Sequence, residues 1–100
     1  MVPEQHLAGI SSSKFIAAIN TDKLQISLKE AKASLDRALA QNEFDLLEYE
    51  KAVKLHRAGL ISDTDLAAKK LSYLSSKASL DQAEASYEDA SLDLENYAVV

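Results

Sequence analysis

The chain has 100 residues, 47% of them hydrophobic, and a formal net charge of −5 at pH 7. That length allows one small domain, and the absence of cysteine removes disulfides and thiolate metal sites. The acidic balance argues against general nucleic-acid binding, which needs a basic field to neutralise phosphates, and no apolar run approaches the length of a membrane span.

Ala, Leu, Ser, Lys, Asp and Glu dominate, with two glycines and one proline. This is the composition of long helices and coiled coils. The opening Met1-Val2-Pro3-Glu4-Gln5-His6 has neither the basic segment nor the apolar core of a signal peptide. An exported parent would therefore make this chain an excised piece. Residues 1–22 read as an irregular N-terminal segment; residues 1–14 lack a clear period, with Pro3, Gly9 and Ser11-Ser12-Ser13 as breakers. Within the segment Phe15-Ile16-Ala17-Ala18-Ile19 reads as a short strand. Thr21 or Asp22 is the expected N-cap of the helix that follows.

That first helix is expected over 23–57. Its seam is Leu24, Leu28, Ala31, Leu35, Ala38, Asn42, Leu46, Tyr49, Val53, His56 and Leu60. The steps alternate four and three except for two successive fours at Asn42, a stutter that locally relaxes the supercoil. A tip follows at 58–62. It holds Gly59, suited to a sharp reversal, and leads through Ser62-Asp63 into a second helix over 63–96. In the second helix Leu66, Tyr73, Leu80, Tyr87 and Leu94 recur every seven residues, with Lys69, Ser76, Ala83, Ala90 and Tyr97 between them. Residues 98–100, Ala98-Val99-Val100, read as the start of a departing strand.

Neither helix buries anything alone, but two joined by a short turn bury each other. In an antiparallel hairpin, facing residues have numbers of constant sum. A sum near 118 sets Leu28 against Ala90, Ala31 against Tyr87, Leu35 against Ala83 and Ala38 against Leu80. Large faces small throughout, which permits close approach without voids. The same register sets Asn42 against Ser76 at the stutter. A sum of 119 sets Leu46 against Tyr73 and Val53 against Leu66, and brings Ile19 level with Val99 or Val100. The expected fold is all-α: a long antiparallel two-helix coiled-coil hairpin with short strand-like segments at both ends.

Two features lie outside this seam. The tip half is basic, with Lys51, Lys54, Arg57, Lys69 and Lys70, whereas residues 81–95 carry six carboxylates and no basic residue. Solvated faces account for most charge runs, but a basic tip also suits an acidic or carbonyl-rich partner. Phe44, Leu47 and Leu55 on the first helix, and Leu71, Leu74 and Leu92 on the second, fall off the seam. Scattered exposed leucines are normal; a row of them suggests lateral packing against another helix, with Phe44, Leu47, Leu71 and Leu74 as the contacts.

Catalytic chemistry is not legible. His6 and His56 lack a second ligand at helical spacing, Gly9 and Gly59 stand alone, and no serine has a base placed to activate it. No cofactor, metal or catalytic residue is expected, and the chain reads as a non-enzyme.

The stretch Ala52-Val53-Lys54-Leu55-His56-Arg57-Ala58-Gly59-Leu60-Ile61-Ser62-Asp63-Thr64-Asp65-Leu66-Ala67 resembles the α-helical hairpin of periplasmic adaptor, or membrane-fusion (HlyD-like), proteins of tripartite efflux pumps and type I secretion systems. The repetitive Ala78-Ser79-Leu80-Asp81-Gln82-Ala83-Glu84-Ala85-Ser86-Tyr87 and the ending Leu94-Glu95-Asn96-Tyr97-Ala98-Val99-Val100 are similar too, as is Ile16 to Asp22 as a strand leading into the hairpin. The likeness covers residues 15–100. It implies a structural adaptor in the periplasm whose parent is anchored at the inner membrane. Partners would be an outer-membrane channel, sister adaptors in a ring, and an inner-membrane transporter met by domains outside this chain. The family's tip motif, a basic residue then Leu then Ser or Thr, falls on Lys51, Leu55 and Ser62, with Gly59 at the turn. Lys51 replaces the usual Arg and lacks its bidentate fork. The competing expectation is a generic coiled-coil interaction module without an export role.

Overall fold

The structure is a computed structural model; it describes the backbone of residues 2–99 and the side chains of residues 19–96. Two helices make up the fold, α1 (Val2–Arg57) and α2 (Asp63–Val99), joined by a tip at 58–62. They pack antiparallel into a rod of 87 × 15 × 14 Å.

The tip is built by local chemistry. Leu60 N donates to Leu55 O and Gly59 N donates to His56 O, both at 2.9 Å. This pair of bonds is the Schellman arrangement that satisfies the last carbonyls of a helix. It requires a left-handed residue, and Gly59 supplies it with φ +74°. Ser62 then starts α2. Its hydroxyl accepts from Asp65 N at 3.1 Å, and its carbonyl accepts from Leu66 N at 3.1 Å, so it is the N-cap. Lys54, His56 and Arg57 occupy the last turn of α1, and Asp63 and Asp65 the first turn of α2, each sign matching its helix dipole.

Polar side-chain pairs join the helices at three levels among the described residues and set the register. Asn42 Nδ2 donates to Ser76 Oγ at 3.1 Å, Lys69 Nζ reaches Glu48 Oε2 at 3.5 Å, and His56 Nε2 meets Asp63 Oδ1. Their residue numbers sum to 118, 117 and 119, the spacing that the alternation of large and small residues requires. Asn42 Nδ2 also donates to Tyr73 O at 3.4 Å, and Ser76 Oγ donates to the same carbonyl at 3.0 Å. Two cylinders touch along a line, so little is fully enclosed. Ala52, Ser76 and Leu80 are the buried residues among those described, while the α1 seam from Leu24 to His56 is half-buried.

The ends differ from expectation. Helix α1 does not begin near Lys23. It runs unbroken through residues 2–22, including Phe15–Ile19, and α2 continues through Ala98 and Val99. There is no strand among the described residues; Val100 lies outside them. Thr21 and Asp22 are therefore interior to a helix and not its cap. The physical reason is that a two-stranded ribbon on its own is marginal, whereas a helix satisfies its backbone within one segment. Pro3 is tolerated because it falls in the first turn, where its missing N–H has no partner to lose. In the observed register Ile19 is level with Val99, so the first turns of α1 extend past the end of α2.

The seam also differs at its tip end. Leu60 is 70% exposed, because the Schellman turn carries it past the last level of α2. Lys69 is exposed, reaching sideways to Glu48. Tyr73 sets its ring edge-on to Tyr49, with centroids 5.9 Å apart and planes at 63°, one turn nearer the tip than Leu46.

Candidate docking site at the hairpin tip

A groove of about 300 Å³ opens on one side of the hairpin just before the turn. Glu48, Lys51, Ala52 and Leu55 of α1 form one wall; Ile61, Asp65, Ala68 and Lys69 form the other. The alanines explain why it exists. Ala52 is 4% exposed and faces α2 where the turn pulls the helices together, and Ala68 leaves the space beside it unfilled. Leu55 and Ile61 are half-buried and give the groove an apolar floor. The rim is charged: the Lys69–Glu48 pair bridges the helices at 3.5 Å, with side chains 50% and 32% exposed. An ion pair so open to water is worth little on its own. Lys51 is exposed, and no ion pair or hydrogen bond engages it among the described residues.

The expected tip residues thus divide. Lys51 and Leu55 share the groove. Gly59 and Ser62 do not line it. An added Cβ at Gly59 would meet nothing within 4 Å, so its demand is purely conformational, and the Ser62 hydroxyl is occupied as a cap. Leu55, expected off the seam, forms part of a seam that widens near the tip. There Asp45, Glu48, Ala52 and Leu55 join Leu46, Tyr49, Val53 and His56 in being buried or half-buried. The groove residues Ala52, Ile61 and Ala68 went unnoticed in the residue pattern. Ala52 could have been found as the residue three after Tyr49 and four before His56, the third stripe of a wide apolar face.

The four expected lateral residues are exposed: Phe44 58%, Leu47 64%, Leu71 66% and Leu74 48%. They do not form one patch. Leu47 lies two residues from Tyr49, and Leu71 two residues from Tyr73. Two residues are about 200° of helix, so each points away from the seam, on opposite edges of the hairpin. Phe44 and Leu74 sit one turn further from the tip on the outer halves of their own helices.

Chemically the site offers non-covalent recognition: an apolar slot for a side chain, with an unengaged ammonium at its edge for a carbonyl or carboxylate. No helix is long and apolar enough to cross a membrane among the described residues. No family model matches the chain, and no curated protein or solved structure matches it either.

Proposed function

We propose that the chain is the α-helical hairpin of a periplasmic adaptor in a bacterial export machine. It is a structural part that docks by its tip to an outer-membrane channel and meets sister hairpins along its sides. The observation that supports this reading is the tip groove. Lys51 and Leu55, two of the three positions that resemble the adaptor docking motif, line one slot together. Leu55 and Ile61 supply apolar surface to a partner side chain, and Lys51 supplies a cation to helix C-terminal carbonyls, which carry partial negative charge. The third position, Ser62, acts through the backbone: it holds the start of α2, so recognition falls on Lys51 and Leu55. Binding to the inner-membrane transporter belongs to domains outside this chain, and the hairpin itself carries no chemistry.

A coiled-coil module without an export role would share the Asn42–Ser76 layer, since a polar layer aligns any helix pair. The readings separate at the tip. A photo-crosslinker at Leu55 in the assembled machine is expected to capture the helical tips of the channel. Capture at the base of the hairpin with none at Leu55 would sink the docking claim.

A further inference from the structure

The back of α2 carries a second stripe. Leu71, Leu74 and Leu92 are 66%, 48% and 53% exposed, and Ala67, Ala78 and Ala85 are exposed with them. Together with Asp81 and Glu88 they recur in steps of four and three from 67 to 92, the spacing of a coiled-coil seam. Leu71, Ala78, Ala85 and Leu92 each stand two residues before a member of the heptad Tyr73, Leu80, Tyr87 and Leu94. Two residues are about 200° of helix, so the stripe faces away from α1, and it runs for about 38 Å. Charge along α2 is split. Residues 66–80 hold Lys69, Lys70 and Lys77 and no acid; residues 81–95 hold six carboxylates and no base. Lys70, Lys77, Asp81 and Glu88 are exposed along one flank of the stripe, and no ion pair engages them among the described residues.

We infer that this stripe is covered by the same stripe of a second copy of the chain running the opposite way, with the two tips pointing apart. Facing numbers that sum to 159 map the stripe onto itself. Leu74 then meets Ala85 of the second copy, and Leu92 meets its Ala67, large against small as in the seam within one hairpin. Glu88 and Asp81 come level with Leu71 and Ala78 of the second copy. The residues just before those two are Lys70 and Lys77, on the same flank, so each carboxylate on the stripe gains a lysine. Lys70 and Lys77 are seven apart, as are Asp81 and Glu88, and one register therefore satisfies both pairs. Two copies running the same way would instead set Asp81 on Asp81, Glu88 on Glu88 and six carboxylates against six; like charges facing one another oppose that arrangement. The contact is isologous: every pairing occurs twice and both stripes are used up, so it closes at a dimer. A pair with its tips at opposite ends cannot present both to one partner, which makes it a resting form of the free chain. This pairing goes beyond the proposed function and does not depend on the channel.

The test uses the cysteine-free chain itself, at up to about 1 mM, where even a weak interface is half occupied. Sedimentation equilibrium is expected to show monomer and dimer with nothing larger. Leu74→Cys and Ala85→Cys, made as separate single variants and mixed under mild oxidation, should give the mixed disulfide dimer, resolved by mass, with little of either homodimer, because neither position faces itself. Lys70→Glu should weaken the dimer about two- to thirtyfold, the range of an exposed ion pair counted twice. Adding Glu88→Lys to the same chain should restore it, with helicity unchanged throughout. Efficient homodimer linking by Leu74→Cys alone would show copies running the same way. Linking of Leu47→Cys with Leu71→Cys in preference to the mixed pair would show α1 meeting α2. Either result, or monomer alone at the top concentration, overturns the pairing. A failed channel crosslink at Leu55 would refute tip docking and leave this dimer standing.

Discussion

The polar layer at Asn42 makes a quantitative test of how the hairpin is held. Asn42 Nδ2 donates across the seam at 3.1 Å to Ser76 Oγ and at 3.4 Å to Tyr73 O. Replacing Asn42 by Ala removes both. The shorter bond is worth about 1 kcal/mol net and the longer about 0.5 kcal/mol. Ser76 is 8% exposed, but it keeps its own 3.0 Å bond to Tyr73 O, so no buried orphan adds to the loss. The expected destabilisation is about 1.5 kcal/mol, or roughly 6–12 °C in Tm for a chain of this size. Ser76→Ala removes one of the same bonds, so the two changes share an interaction. Thermal and urea unfolding of the four members of a double-mutant cycle should give a coupling of about 0.5–1 kcal/mol. Making the layer apolar, with Asn42→Leu and Ser76→Ala together, is expected to recover stability while loosening the register, as buried polar residues specify alignment at a cost in stability. A coupling below about 0.3 kcal/mol, the range of independent sites, would show that the layer is not bonded across the seam and that alignment comes from packing alone.

Gly59→Ala is expected to cost about 1–2 kcal/mol, the penalty of a side chain at positive φ, with helicity unchanged by circular dichroism; an unchanged Tm would refute the Schellman turn. Ser62→Ala should cost about 1 kcal/mol by removing the cap, and Ser62→Asp should restore it. If Ser62→Asp unfolds as the parent does but loses channel docking, the hydroxyl touches the partner after all. Lys51→Glu or Leu55→Ala, assayed in the complete export machine, should abolish or strongly reduce transport while the hairpin remains helical. A parallel loss of helicity would instead assign those residues to stability.

The hairpin was readable because its determinants are local or strictly pairwise. A glycine placed for a left-handed turn, a Ser-Asp helix start and a run of large-against-small pairings each specify something without reference to the rest of the molecule. Leu55 stood out as a residue off the seam, and Lys51 only through the resemblance to the adaptor tip motif. The groove they share did not, because it depends on Ala52 and Ala68, residues whose contribution is the volume they leave empty. The exposed leucines were visible as departures from the seam, but their division between two opposite edges appears only when helical phase is measured from an observed contact line.

By itself the order of residues determined that there are two long antiparallel helices, where the chain reverses, and that Asn42 meets Ser76, since the index sum that aligns Leu35 with Ala83 leaves no other partner at that level. Tertiary structure alone decided how far each helix runs and how wide the seam is. Phe15–Ile19 has the side chains of a strand, but strand formation depends on a partner for its backbone, and helix α1 supplies those bonds internally. Ala52 is enclosed and Leu60 exposed for a related reason: burial follows from how closely two helix axes converge at a turn, a distance set by all the side chains between them and encoded at no single position.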